Sequence, residues 1–209
     1  MAEIISNTSP LQYLHQIAQL EILPVLCPTV LVPGPVVSEI EVGRSSGVDL
    51  PDLTRLPWIT VMSPAAMPVL GLVTDLGLGE AAVLALALER PGAIALLDDR
   101  PARKLASVRG IPVVGTLGIL IQAKKRGIIP EVKPLVEKLQ RLGFRLNART
   151  REAYWSWRKR TRADDAGKDR ALRRGGGGDA RVHHGCSGPG GLPSRASCSC
   201  REDSEPVGA

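Results

Sequence analysis

Residues Ala93 to Leu97 read Ala-Ile-Ala-Leu-Leu, with no polar side chain to turn toward water, and Asp98-Asp99 follow at once. A short strand with no polar alternate positions is buried on both faces, and that happens almost only in parallel sheets covered by helices. The neighbouring segments agree. Glu80 to Glu89 is an apolar helix stopped by Pro91-Gly92, and Asp98-Asp99 lead into a second helix reaching Val108. Ile111 to Val114 is another apolar strand, and Gly115 opens a helix to Lys125. Upstream, Ala2 to Ser6, Val30 to Val32 and Trp58 to Met62 read as strands. A helix opens at Asn7-Thr8-Ser9-Pro10 with Leu11, Leu14 and Ile17 on one face, and another spans Pro33 to Val42 and stops at Gly43. Residues 44 to 57 read as a loop, Glu131 to Leu142 as a helix, and Arg149 to Arg160 as a final basic helix. Strands alternating with helices predict an α/β fold with a mostly parallel central sheet.

The pattern stops near residue 160, which divides the chain into 1–160 and 161–209. Beyond Leu172 the only large aliphatic residues are Val182, Leu192 and Val207. So little apolar surface cannot offset the ordering entropy, so disorder is expected from about residue 162. His183, His184, Cys186, Cys198 and Cys200 are zinc-capable but lack the paired spacing of zinc modules. No apolar run is long enough to span a bilayer and no signal pattern opens the chain, so a cytoplasmic protein with no membrane partner is expected. The formal charge of +6 permits a polyanionic partner.

In an open parallel sheet, chemistry gathers beyond the carboxyl ends of the strands. Asn7 follows the first strand, and Asp98 and Asp99 follow the strand from Ala93. Glu39 and Glu80 lie on helices whose turns can face the same crevice. No glycine-rich loop follows the first strand, which disfavours a dinucleotide or P-loop site. Each polar residue also has an ordinary structural use. Asn7 or Asp99 can cap a helix, and Glu80 suits a first helical turn. Taken together, carboxylates about 8 Å apart repel by roughly 2 kcal/mol per pair at an effective dielectric near 20, and a bound cation relieves that. Ligands that are all oxygen suit Mg²⁺ or Mn²⁺.

Six blocks carry a family resemblance. They are Ile-Ser-Asn7-Thr8-Ser9-Pro10-Leu, Val32-Pro33-Gly-Pro-Val-Val-Ser-Glu39-Ile and Leu78-Gly79-Glu80-Ala-Ala-Val-Leu. Leu97-Asp98-Asp99-Arg100-Pro-Ala-Arg103, Val114-Gly115-Thr116-Leu117-Gly118 and Ala123-Lys124-Lys125-Arg-Gly127 complete the set. From residue 3 to about 155 the chain resembles PIN domains of the subfamily opening on an Asn-Thr-Ser-Pro signature, and VapC-type toxins. The resemblance implies a three-layer α/β/α fold and a metal-dependent endoribonuclease, the toxin of a toxin–antitoxin pair. It also implies a homodimer held inactive by a small antitoxin.

By the same resemblance Asn7, Glu39, Glu80 and Asp99 take the catalytic positions. Asn7, Glu80, Asp98 and Asp99 take the metal positions, with Asp99 ranked above Asp98. Thr8 and Ser9 orient the metal's water from behind. Arg100, Arg103, Thr116 and Lys124 are the expected RNA contacts. Most active PIN nucleases have Asp where this chain has Asn7, an uncharged oxygen ligand. That departure supports an alternative, a weak or inactive PIN fold that binds RNA or protein.

Overall fold

The computed structural model describes residues 3–65 and 76–145. Five strands form one parallel sheet: β1 (Ile4–Ser6), β2 (Val30–Val32), β3 (Ile59–Val61), β4 (Ile94–Leu96) and β5 (Val113–Val114), in the order β3-β2-β1-β4-β5. Ile5 stands beside Leu31 on one side and Ala95 on the other, so β1 is central. The chain moves outward from β1 to β3, then crosses back to β4 and out to β5. The reversal of direction lies at β1 and β4, the place where an open sheet splays its connections and leaves a crevice.

Seven α-helices are described: α1 (Thr8–Gln16), α2 (Ile22–Leu26), α3 (Gly34–Ser45), α4 (Leu78–Glu89), α5 (Arg100–Val108), α6 (Thr116–Lys125) and α7 (Lys133–Arg141). Helix α1 packs with α3 and α6, and α6 also with α2, while α4 lies on β1 and β4 and against α5. Helix α4 also packs along α3, and the helices flank the sheet in a three-layer α/β/α arrangement. Helix α4 is apolar on every side, and Ala81 to Ala87 are all buried. A helix of that kind needs neighbours all round, which anchors its first turn, with Glu80, against the sheet. The core is aliphatic, with Ile5, Leu11, Leu14, Leu31, Leu96, Leu97 and Leu120 among its fully enclosed side chains.

The structure departs from the sequence expectations in informative ways. Helix α1 ends at Gln16 and Ala18 adopts a left-handed backbone (φ 57°), so Ile17 and Leu20 reach the core from a turn that leads into α2. No glycine or proline marks that stop. Gly43 does not end α3, which runs on to Ser45; Leu50 folds back onto the space a Cβ would need there. Strand β5 is shorter than expected because Pro112 has no N–H to offer the ladder, although its carbonyl still accepts from Ala95. The basic helix expected over residues 149–160, Trp155 and Trp157, and the tail with its histidines and cysteines lie outside the described residues. Among the described residues no helix is long and apolar enough to cross a membrane.

Candidate functional site

Two polar clusters stand at the carboxyl edge of the sheet. The first begins with Asn7, whose backbone N–H bonds to Leu96 O and so continues the β1–β4 ladder for one more residue. That bond fixes the side chain at the end of the central strand, 2% exposed. Asn7 occupies the capping position of α1, yet its side chain makes no capping bond. Its Nδ2 donates instead to Glu80 Oε1 at 2.9 Å. A carboxylate only accepts, so the amide must present its nitrogen to Glu80. The carbonyl, Oδ1, is then left buried with no hydrogen-bond partner.

Glu39 approaches from α3. Its Oε2 accepts from Thr8 Oγ1 at 2.6 Å and its Oε1 from the Gly79 N–H at 3.0 Å. Gly79 is what lets these groups meet. A Cβ on residue 79 would stand 2.7 and 2.8 Å from the two Glu39 oxygens and 2.9 Å from Asn7 Oδ1. Three acceptor oxygens therefore surround one small space that exists because residue 79 has no side chain. Among the described residues no lysine or arginine forms an ion pair with Glu39 or Glu80.

The second cluster is built on Asp98, just past β4. Its Oδ1 accepts from the Thr116 N–H at 2.9 Å and its Oδ2 from Thr116 Oγ1 at 2.5 Å, at the first residue of α6. Across Gly115, where a Cβ would crowd both groups, lies Arg103 Nη1, which also donates to Leu97 O at 3.0 Å. Burial raises the Asp98 pKa above the ordinary carboxylate value, against the lowering effect of Thr116 and Arg103. Tyr13, on α1, is close enough for the Asp98 charge to add to the burial that raises its own pKa. Its ring meets Phe144 edge-on at 5.0 Å.

By their hydrogen bonds the residues singled out by the sequence fall into different groups. Asn7, Thr8, Glu39 and Glu80 come together, while Ser9 stands half-buried in the first turn of α1. Asp98 is held in its own cluster. Asp99 is exposed and caps α5, its Oδ2 accepting from the Ala102 N–H at 3.1 Å. Thr116, expected at RNA, is fully buried and directs both its donors to Asp98, so it has none for a phosphate. Lys124, also expected at RNA, lies in the last turn of α6. Eight residues of helix, at 1.5 Å each, carry it about 12 Å from Thr116 toward the opposite edge of the sheet. Arg100 is exposed beside Asp99, and Arg103 is half-buried. Sequence reasoning misses Gly79 and Tyr13. A glycine inside a helix costs about 1 kcal/mol relative to alanine, which is the available signal for Gly79; nothing local marks Tyr13.

Among the described residues no three His, Cys, Asp or Glu side chains form a group able to hold a metal ion. The convergence here is different, a glutamate and an amide around Gly79, with a second glutamate bonded to that amide. A buried carbonyl with no donor, facing carboxylate oxygens, has the wrong chemistry for another acceptor and the right chemistry for a hard cation. The oxygen donors around Gly79 suit a hard divalent cation.

The PIN-domain family model matches residues 3–156. No curated protein matches the chain. With well over half of its length matched, the chain belongs to the PIN-domain family.

Proposed function

We propose that this PIN-domain protein is a Mg²⁺- or Mn²⁺-dependent endoribonuclease that hydrolyses RNA phosphodiester bonds. The observation that carries the reading is the orphaned, buried Asn7 Oδ1 beside the Glu39 carboxylate in the space left by Gly79. Asn7 and Glu39 are the residues that would hold the cation, Thr8 keeps Glu39 turned toward it, and Glu80 stands behind, bonded to the Asn7 amide. When bound, the cation lowers the pKa of a water and neutralises charge that builds on the attacked phosphate.

The chain's own residues supply the rest. Glu80, half-buried and bonded to Asn7, is set to accept a proton from the attacking water. Asp99 is the outward acid of the Asp98-Asp99 pair and is assigned to the water and substrate side, while Asp98 braces the strand end behind it. Exposed Arg100 is assigned to phosphate, a contact that positions RNA without reading sequence. The wider proposal includes a cytoplasmic toxin, a homodimer and a small antitoxin protein as its inhibitor.

The test is cleavage of a panel of structured RNAs by the full chain in Mn²⁺, in Mg²⁺ and in chelator. Cleavage should require the cation and fall at least about a hundredfold in the Glu80→Gln, Asp99→Asn double variant. Activity that survives in that variant overturns the assignment. The uncharged Asn7 favours a second reading, a PIN fold that binds RNA or protein without cutting; it predicts RNA retention with no cleavage under any of the three conditions.

A further inference from the structure

We infer that Asn7 makes the cation site reversible: its amide N–H gives Glu80 a partner in the empty protein, and its carbonyl accepts the ion when one arrives. The inference rests on the cation-site reading above and adds a mode of regulation, in which occupancy follows the free concentration of divalent cation.

Two ends of one side chain carry it. The Nδ2 end donates to Glu80 Oε1, so this glutamate has a partner without any metal. Glu39 is likewise satisfied by Thr8 and the Gly79 N–H. The Oδ1 end is the one buried side-chain atom in the cluster without a partner, and it faces the same small space as both Glu39 oxygens. An aspartate at residue 7 could not donate to Glu80. It would place a third carboxylate among the other two, where among the described residues no basic side chain pairs with either glutamate. Such a site would be unstable when empty and would hold its cation tightly. With the amide, the empty site is hydrogen-bonded and lacks one negative charge, so it binds the ion more weakly and releases it.

The experiment compares the full chain with Asn7→Asp and with the swapped pair Asn7→Asp, Glu80→Gln. Each is melted in chelator and titrated with Mn²⁺ by calorimetry. In chelator Asn7→Asp should melt below the parent. The swapped pair should recover, because the amide introduced at position 80 can donate to the carboxylate introduced at position 7 and the total charge is restored. Mn²⁺ should bind Asn7→Asp about tenfold or more tightly than the parent, with the swapped pair returning toward the parent value. Equal melting of parent and Asn7→Asp in chelator, failure of the swap to recover, or equal Mn²⁺ affinity would overturn the inference.

Should Asn7→Asp fail to fold, the parent still decides. Its Asn7 side-chain amide protons should exchange slowly in chelator, and its carbonyl carbon resonance should move on Mg²⁺ addition; fast exchange or an unmoved carbonyl overturns the inference. RNA enters none of these readouts. A protein that behaves as described yet cuts no RNA would remove the nuclease reading and leave this one standing.

Discussion

The two polar clusters at the carboxyl edge of the sheet solve the same electrostatic problem in opposite ways. Around Asp98 the protein provides its own answer: two donors from Thr116, one to each carboxylate oxygen, and the Arg103 guanidinium across Gly115. Around Asn7 it leaves the answer incomplete: among the described residues nothing donates to its Oδ1, and a glycine rather than a side chain stands against it. A closed cluster braces a strand end, whereas an open one calls for a ligand. Both contain an acid at a strand or helix terminus, so residue type alone does not separate them.

The largest expected effect tests whether the open cluster is open for a reason. Gly79→Ala puts a methyl group among the Glu39 and Asn7 oxygens. Mn²⁺ affinity should fall by about a hundredfold, within the range expected when groups at a metal site are displaced. Alanine favours helix by about 1 kcal/mol over glycine, so melting in chelator should barely change. Parallel loss of stability and affinity would show that the glycine serves packing instead.

Next comes the closed cluster. Thr116→Val keeps the shape but removes the donor to Asp98 Oδ2, and urea unfolding should show a loss of about 1–3 kcal/mol. No comparable loss would mean that the Thr116 hydroxyl contributes little to the brace.

A smaller effect follows from the Asp98 pKa, which burial raises. A carboxyl raised in the folded state favours folding fully only below its ordinary range. That contribution is lost as pH rises through the raised value. Asp98→Asn stays neutral and its carbonyl can still accept the Thr116 N–H, so in chelator it should melt a few degrees above the parent at neutral pH. The margin should shrink as the solution is made acid; a margin independent of pH would break the account. Smallest of all, Lys124→Ala should leave RNA binding and cleavage unchanged, because this lysine sits at the far end of α6. Arg100→Ala should weaken RNA binding, measured by retention of labelled RNA on a filter.

Much of this is legible in the residues. The apolar run Ala93 to Leu97 announces a buried parallel strand, and β4 with Leu97 is just that. Asn7, Glu39 and Glu80 stand out as candidates, and all three share a cluster. Thr116 and Lys124 are less legible. Both belong to a helix that begins at the site, but one side chain turns inward to Asp98 and the other is carried away by the helix rise. The end of α1 is hidden for another reason: Ala18 takes a left-handed backbone that alanine does not favour, so the packing of Ile17 and Leu20 has overridden local preference.

The sequence by itself determined the strand–helix alternation, the parallel sheet and the edge at which polar groups would collect, because apolar periodicity and helix stops are written within a few neighbouring residues. Only the tertiary structure decided which acid meets which partner. Asn7 and Glu80 are 73 positions apart and Gly79 and Glu39 are 40 apart, brought together by the crossover through α4. Chemically similar side chains take their roles from the donors and empty spaces around them, and the packing of distant segments supplies those.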